Sequence, residues 1–178
     1  MFPMVSSVDE LTRARQVVER VREEEELQLA HPLQIGVMIE VPAAALIADV
    51  LAREADFFSL GTNDLLQYTL ACDRGNARVN HLCQFAHPAV LRLIDMVVRA
   101  AHAADRPVGV CGEAAGDASS MPLLVGLGVD ELSVGAARVP EVRQRLSALN
   151  YVELQAVAAK ALSKTTPDQV ADLLEPYQ

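Results

Sequence analysis

The stretch Phe57-Phe58-Ser59-Leu60-Gly61-Thr62-Asn63-Asp64 is a short apolar run that halts at glycine and then presents three polar side chains in succession. An apolar run bounded by a turn residue has the pattern of a buried parallel strand that ends in a loop. In α/β proteins the chemistry gathers at the carboxyl ends of such strands. Two readings of Asn63 and Asp64 stand at this point. One of them caps the following helix, Leu65-Leu66-Gln67-Tyr68-Thr69-Leu70, or the pair forms a corner for phosphate and metal.

A second strand lies upstream, Leu33-Gln34-Ile35-Gly36-Val37-Met38-Ile39, and it ends at Glu40. An alanine-rich helix from Ala43 to Arg53 follows, with Pro42 suited to its first turn. A carboxylate that terminates an apolar strand is costly to bury unless it is paired or bound to metal. Glu40 and Asp64 are 24 positions apart, close to one strand–helix unit, so both can occupy equivalent places on neighbouring parallel strands. Two carboxylates converging on one sheet edge suit a hard, oxygen-preferring cation such as Mg²⁺. The alternative is that Glu40 pairs with an arginine.

Further upstream, Met1-Phe2-Pro3-Met4-Val5 is an apolar run. Ser7 and Glu10 then form a capping-box pair at the start of a helix. Leu11, Ala14, Val17, Val18 and Val21 recur at helical spacing, which predicts a helix from about Val8 to Leu29. Glu23 to Glu26 lie toward its end, where the macrodipole disfavours them, so fraying is expected before His31-Pro32.

Downstream of Asp64 runs a long connection, roughly Ala71 to Ala86, containing Cys72-Asp73-Arg74-Gly75-Asn76. Connections of this length in compact domains are often functional. Arg74 has the planar fork that clamps phosphate or carboxylate, although an isolated arginine is more often a surface ion pair. Cys72 and Cys83 read as small buried or loop residues. His81 and His87 read as structural, because no metal-ligand spacing surrounds them. Val90, Leu91, Ile94, Val97 and Val98 form the apolar stripe of a helix from His87-Pro88 to about Ala104.

Another strand, Pro107 to Val110, ends at Cys111-Gly112-Glu113. A cysteine there serves as nucleophile or general acid, or simply fills core. A short helix begins near Ser119-Ser120, and Val129 to Val134 supplies a last strand ending at Gly135. Helices follow from Pro140 to about Leu149, from Tyr151 to about Leu162, and up to about Leu174.

Composition bounds the class. Half of the 178 residues are hydrophobic, enough for one domain with an aliphatic core, since aromatics are few and tryptophan is absent. The net charge of −9 argues against broad binding to nucleic acid or to an anionic membrane. Three cysteines, an odd number, fit a reducing compartment better than a disulfide framework. No apolar run reaches membrane-spanning length and no secretory leader is evident, so a cytoplasmic location is expected. Five strands alternating with helices, with polar residues at the carboxyl ends, are the grammar of a (β/α) barrel or an open parallel sheet. A complete eight-fold barrel takes roughly 250 residues, so about three units are missing.

Met38-Ile39-Glu40-Val41-Pro42-Ala43-Ala44, Gly61-Thr62-Asn63-Asp64-Leu65, Asp73-Arg74-Gly75-Asn76 and Cys111-Gly112-Glu113 together resemble the PEP-utilising enzyme family. That family includes Enzyme I of the bacterial sugar phosphotransferase system, the pyruvate phosphate dikinases and the PEP synthases. The third motif and the Met1-Phe2-Pro3-Met4 start are more similar to the Enzyme I branch. The resemblance implies an α/β fold, a partial (β/α)8 TIM barrel supplying about strands four to eight, with residues 1–178 as the C-terminal part of the PEP-binding domain. It implies that Glu40 and Asp64 bind Mg²⁺, that Asn63, Asp64 and Arg74 hold phosphoenolpyruvate, and that Cys111 protonates the pyruvate enolate at C3. It implies a homodimer and a phosphocarrier protein as partners, the latter through domains not present here. The family's further arginines from the first barrel strands are absent. None of His31, His81, His87 and His102 stands in the Thr-Ser-His type of motif that carries the phosphoryl group. A dikinase-type or other PEP/pyruvate barrel enzyme and a non-catalytic dimerising fragment are the rival expectations.

Overall fold

In the computed structural model, which describes residues 1–177, helix α1 (Val8–Glu24) opens with a capping box. The Ser7 hydroxyl accepts from the Glu10 N–H, and the Glu10 carboxylate accepts from the Ser7 N–H. Hydrogen bonds from the Ser6 backbone and hydroxyl hold the Glu10 carboxyl below the usual range. The helix stops short of the expected Leu29, at the first residues of the glutamate run, where the negative charges oppose the macrodipole. Strand β1 (Val37–Ile39) follows. The expected single helix after it is two, α2 (Pro42–Leu46) and α3 (Ala48–Glu54), broken at Ile47, whose backbone leaves the helical region.

Strand β2 (Phe58–Gly61) runs without a loop into α4 (Thr62–Leu70). The N-cap is Gly61 itself, so neither Asn63 nor Asp64 is a cap. Both lie in the first helical turn, where their side chains are free for other partners and the Asp64 charge suits the dipole. Ala71 ends α4 in the left-handed conformation, at φ 50°, and turns the chain back. The long connection then closes on itself through a disulfide between Cys72 and Cys83. This corrects the expectation of unpaired cysteines: the odd count reflects one bonded pair plus a free Cys111.

Helix α5 (Pro88–Ala103) buries Val90, Leu91, Ile94, Val97 and Val98, the expected stripe. Its N-terminus is capped by the His87 ring, whose Nδ1 accepts from the Ala89 N–H at 3.2 Å, the structural role expected of that histidine. Strand β3 (Val108–Cys111), helix α6 (Met121–Gly126) and strand β4 (Glu131–Leu132) come next. Helices α7 (Val139–Ser147), α8 (Tyr151–Leu162) and α9 (Pro167–Leu174) complete the described chain. None of the described helices is long and apolar enough to cross a membrane.

The four strands form one parallel sheet in the order β1-β2-β3-β4. Val37, Phe58 and Val108 are in register, as are Ile39, Leu60, Val110 and Leu132. The first six of these residues are essentially inaccessible to solvent. Each such side chain contributes about 1.5–3 kcal/mol on burial. The intervening positions, Met38, Ser59 and Gly109, point to the opposite face. The apolar run Met1–Val5 joins the sheet by one bridge, in which Phe2 donates to Gly36 O and accepts from Met38 N–H, so four strands form where five were expected. Pro3 has no N–H to extend the ladder, and Met4 turns away at φ 55°. Strands β1 and β4 do not pair, so the sheet is open.

The disulfide closes a loop between cysteines 11 positions apart. Chain-entropy reasoning for a loop of this size gives about 3 kcal/mol of stabilisation. Replacing both Cys72 and Cys83 by alanine is expected to lower the urea midpoint accordingly. An unchanged midpoint would mean that the loop is ordered by its other contacts alone.

Candidate functional site

The register Gly61↔Cys111 brings the ends of β2 and β3 together at the carboxyl edge of the sheet. Glu40, one residue beyond β1, lies beside them and is 4% exposed. Its Oε1 accepts the Met4 N–H at 2.8 Å, which the left-handed backbone at Met4 presents. Among the described residues Glu40 has no arginine or lysine partner, so the arginine pairing considered above does not occur. A β-carbon at Gly61 would sit 2.7 Å from Glu40 Oε2, so that oxygen occupies the space a side chain would take.

Cys111 is half-buried and its thiol is free. The Ser59 hydroxyl donates to its sulfur at 3.2 Å, and the sulfur lies 3.5 Å from Leu60 O. The chain leaves β3 through Gly112 at φ 109°, a conformation that side-chain-bearing residues rarely adopt. A β-carbon there would also meet the Thr62 hydroxyl at 2.7 Å. Thr62 donates to Cys111 O at 3.2 Å, and Asn63 Oδ1 accepts the Glu113 N–H at 3.3 Å. These two bonds stitch the start of α4 to the end of β3.

Arg74 reaches the same edge from the long connection. One terminal nitrogen pairs with Glu113 Oε1 at 3.1 Å, while its Nε is buried and has no partner among the described residues. A buried donor without an acceptor costs roughly 1–3 kcal/mol. The turn that carries Arg74 is locally braced: Asp73 accepts from Gly75 N–H and Asn76 from Arg78 N–H. Asp64 Oδ1 accepts from Gln67 Nε2 at 3.1 Å, and Gln67 Oε1 accepts the Arg74 N–H at 2.9 Å.

A cavity of about 580 Å³ opens beside this edge. Thr62, Asn63, Arg74 and Glu113 are among its polar lining, with Leu66 and Phe85 among the apolar residues. Glu40, Asp64 and Cys111 do not line it, so it adjoins the strand-end cluster from the side of the Arg74 loop. Among the described residues no three or more His, Cys, Asp or Glu side chains converge as a metal site.

With this geometry in place, comparison with known proteins decides the family. The model of the PEP-utilising enzyme PEP-binding domain matches residues 1–151. The chain belongs to this family. Relatives named phosphoenolpyruvate-protein phosphotransferase include one from Staphylococcus carnosus, 42% identical, and one from Listeria monocytogenes, 44% identical. A third, from Lactococcus lactis subsp. cremoris, is 44% identical. Each alignment covers 99% of this chain but only 31% or 32% of the relative. The chain therefore spans about a third of the length of the curated relatives it matches.

Within this PEP-binding domain, sequence reasoning missed Gln67, Ser59 and Thr62 as members of the cluster. Gln67 lies three residues after Asp64 on α4, one turn along the same face, and that spacing was its only signal. Ser59 alternates onto the Cys111 face of the sheet.

Asp117, also on the cavity wall, is partly desolvated, yet hydrogen bonds from Ser119 and Ser120 win and hold its carboxyl below the usual range. Its Oδ2 accepts from both serine hydroxyls and from the Ser120 N–H. A depressed folded-state value means that this contribution is complete above the ordinary aspartate range and fades as pH falls through the folded value. The stability difference between wild type and Asp117→Asn is expected to be largest near pH 7. It should shrink toward pH 3, read from urea midpoints at both pH values.

Proposed function

We propose that this chain is the phosphoenolpyruvate- and Mg²⁺-binding part of a phosphoenolpyruvate-protein phosphotransferase, the C-terminal part of its catalytic barrel. The observation that carries the reading is the Arg74 guanidinium on one cavity wall with Asn63, adjoining the sheet edge that carries the Cys111 thiol. In this reading the four parallel strands, with the bridged segment at Phe2 as a fifth, are about strands four to eight of a (β/α)8 barrel, whose other strands cover the open edges. The whole enzyme would transfer the phosphoryl group to a protein histidine and then to a phosphocarrier protein, in cytoplasmic sugar transport, as a homodimer.

Arg74 has donors for two phosphate oxygens, and an incoming phosphate would displace Glu113, whose side chain is 82% exposed and readily swings into water. The Asn63 amide lies within the same cavity wall and can donate to a third oxygen. As the bond between phosphorus and the C2 oxygen breaks, its electrons leave an enolate. The Cys111 S–H then gives its proton to C3, forming the pyruvate methyl group and a thiolate. The Ser59 hydroxyl, already hydrogen-bonded to that sulfur, stabilises the thiolate until solvent returns a proton.

The donor chemistry fits Mg²⁺. Glu40 is a buried carboxylate with one backbone donor and no ion-pair partner among the described residues, a costly state that a cation relieves. Glu40 and Asp64 would hold the ion with oxygen donors alone, as hard cations require. When bound, the ion would offset charge on the phosphate and enolate oxygens.

Calorimetry tests the reading. Phosphoenolpyruvate is expected to bind this chain only with Mg²⁺ present, and Arg74→Ala should weaken binding about tenfold or more, consistent with a charged hydrogen bond of 1.5–3 kcal/mol. Cys111→Ala should leave binding intact but slow exchange of the pyruvate methyl protons with deuterated solvent about 10²-fold or more. No binding at millimolar ligand with Mg²⁺ overturns the proposal.

A further inference from the structure

The Gln67 side chain joins the Asp64 carboxylate to the Arg74 backbone. A backbone N–H only donates, so the Gln67 oxygen must face Arg74 and its amide nitrogen must face the Asp64 carboxylate. The orientation is thus chemically forced, and the side chain cannot flip without losing both bonds. The main chain of the same residue adds a third contact, because Gln67 O accepts the Cys72 N–H at 3.0 Å. That bond forms only because Ala71 adopts the left-handed conformation and folds the connection back against α4. Asp64 meanwhile uses only Oδ1 for this contact, and its second oxygen has no protein partner among the described residues.

We propose that Gln67 is a positioning residue that couples the carboxylate Asp64 to the anion-binding arginine Arg74. Its amide fixes the plane of the Asp64 carboxylate, whose terminal torsion is otherwise broad. Its carbonyl anchors the backbone from which the Arg74 side chain springs, so the guanidinium meets an anion from a fixed base. Both contacts fall on one rotamer, so a change that frees the Arg74 loop also frees Asp64. The functional consequence rests on the phosphoenolpyruvate reading above. The contacts themselves do not.

The test uses the full chain, with Gln67→Met and Gln67→Glu beside wild type. Methionine keeps the length and removes both polar contacts. Glutamate keeps the acceptor for the Arg74 N–H and removes the donor to Asp64. Amide hydrogen exchange is read at Arg74 without ligand, and phosphoenolpyruvate binding is titrated at several Mg²⁺ concentrations. In Gln67→Met, Arg74 should exchange at least tenfold faster and phosphoenolpyruvate should bind about tenfold more weakly, with the thermal midpoint unchanged. In Gln67→Glu, Arg74 should stay protected while the Mg²⁺ concentration for half-maximal binding rises severalfold. Unchanged Arg74 exchange in Gln67→Met overturns the anchoring role. Unchanged Mg²⁺ dependence in Gln67→Glu overturns the coupling to Asp64. Failure of wild type to bind phosphoenolpyruvate overturns the functional reading instead, and amide exchange then still decides whether Gln67 anchors Arg74.

Discussion

A β-carbon at position 61 would lie 2.7 Å from Oε2 and 2.8 Å from Cβ of Glu40, so the ends of β1 and β2 can close on one another only over a glycine. The rest of the carboxyl edge depends on that approach. It lets a carboxylate be buried beside the sheet. It also lets β2 pass directly into α4, which puts Thr62, Asn63 and Asp64 in the first turn. A second glycine, Gly112, does the equivalent service one strand over, where its left-handed backbone and missing side chain leave room for Thr62 and Asn63. Two absent side chains thus allow the polar ones to converge.

The Arg74 loop is organised on a different principle. It has little apolar burial of its own, since most residues from Asp73 to Leu82 are exposed. Its order comes from a covalent tie between Cys72 and Cys83, from the Gln67 side chain, and from short side-chain-to-backbone turns at Asp73 and Asn76. A surface loop held this way can present a charged group at a fixed place while its partner stays exchangeable. Glu113 is such a partner, exposed and easily displaced, whereas the orphaned Arg74 Nε is not satisfied by it.

Much of this was legible in the chain. The alternation of apolar runs with helical stripes located all four paired strands, but the 24-residue offset misplaced Asp64: Ile39 pairs with Leu60, so Glu40 is level with Gly61, and Asp64 lies further on, in the first turn of α4. Helix α8 and the buried stripe of α5 follow the periodicity closely. Misreadings arose where a long-range contact outweighed a local preference. Asn63 and Asp64 have the chemistry of caps, yet Gly61 takes that position because the strand continues straight into the helix. Met1–Val5 has the composition of a strand, yet Pro3 and the turn at Met4 allow one bridge. The cysteine count suggested free thiols, but pairing depends on the chain doubling back after α4, which the left-handed Ala71 decides.

The sequence by itself determined the class of fold and the family, because those follow from apolar periodicity and from local motifs. Tertiary structure alone decided which partners those side chains find. Glu40 turns to a backbone N–H rather than an arginine, Cys111 meets Ser59, and Gln67 bridges Asp64 and Arg74. Hydrogen bonds act over about 3 Å. Contacts between residues as distant in the chain as Ser59 and Cys111 are therefore set by strand register and helix exit geometry, which no local window of sequence encodes.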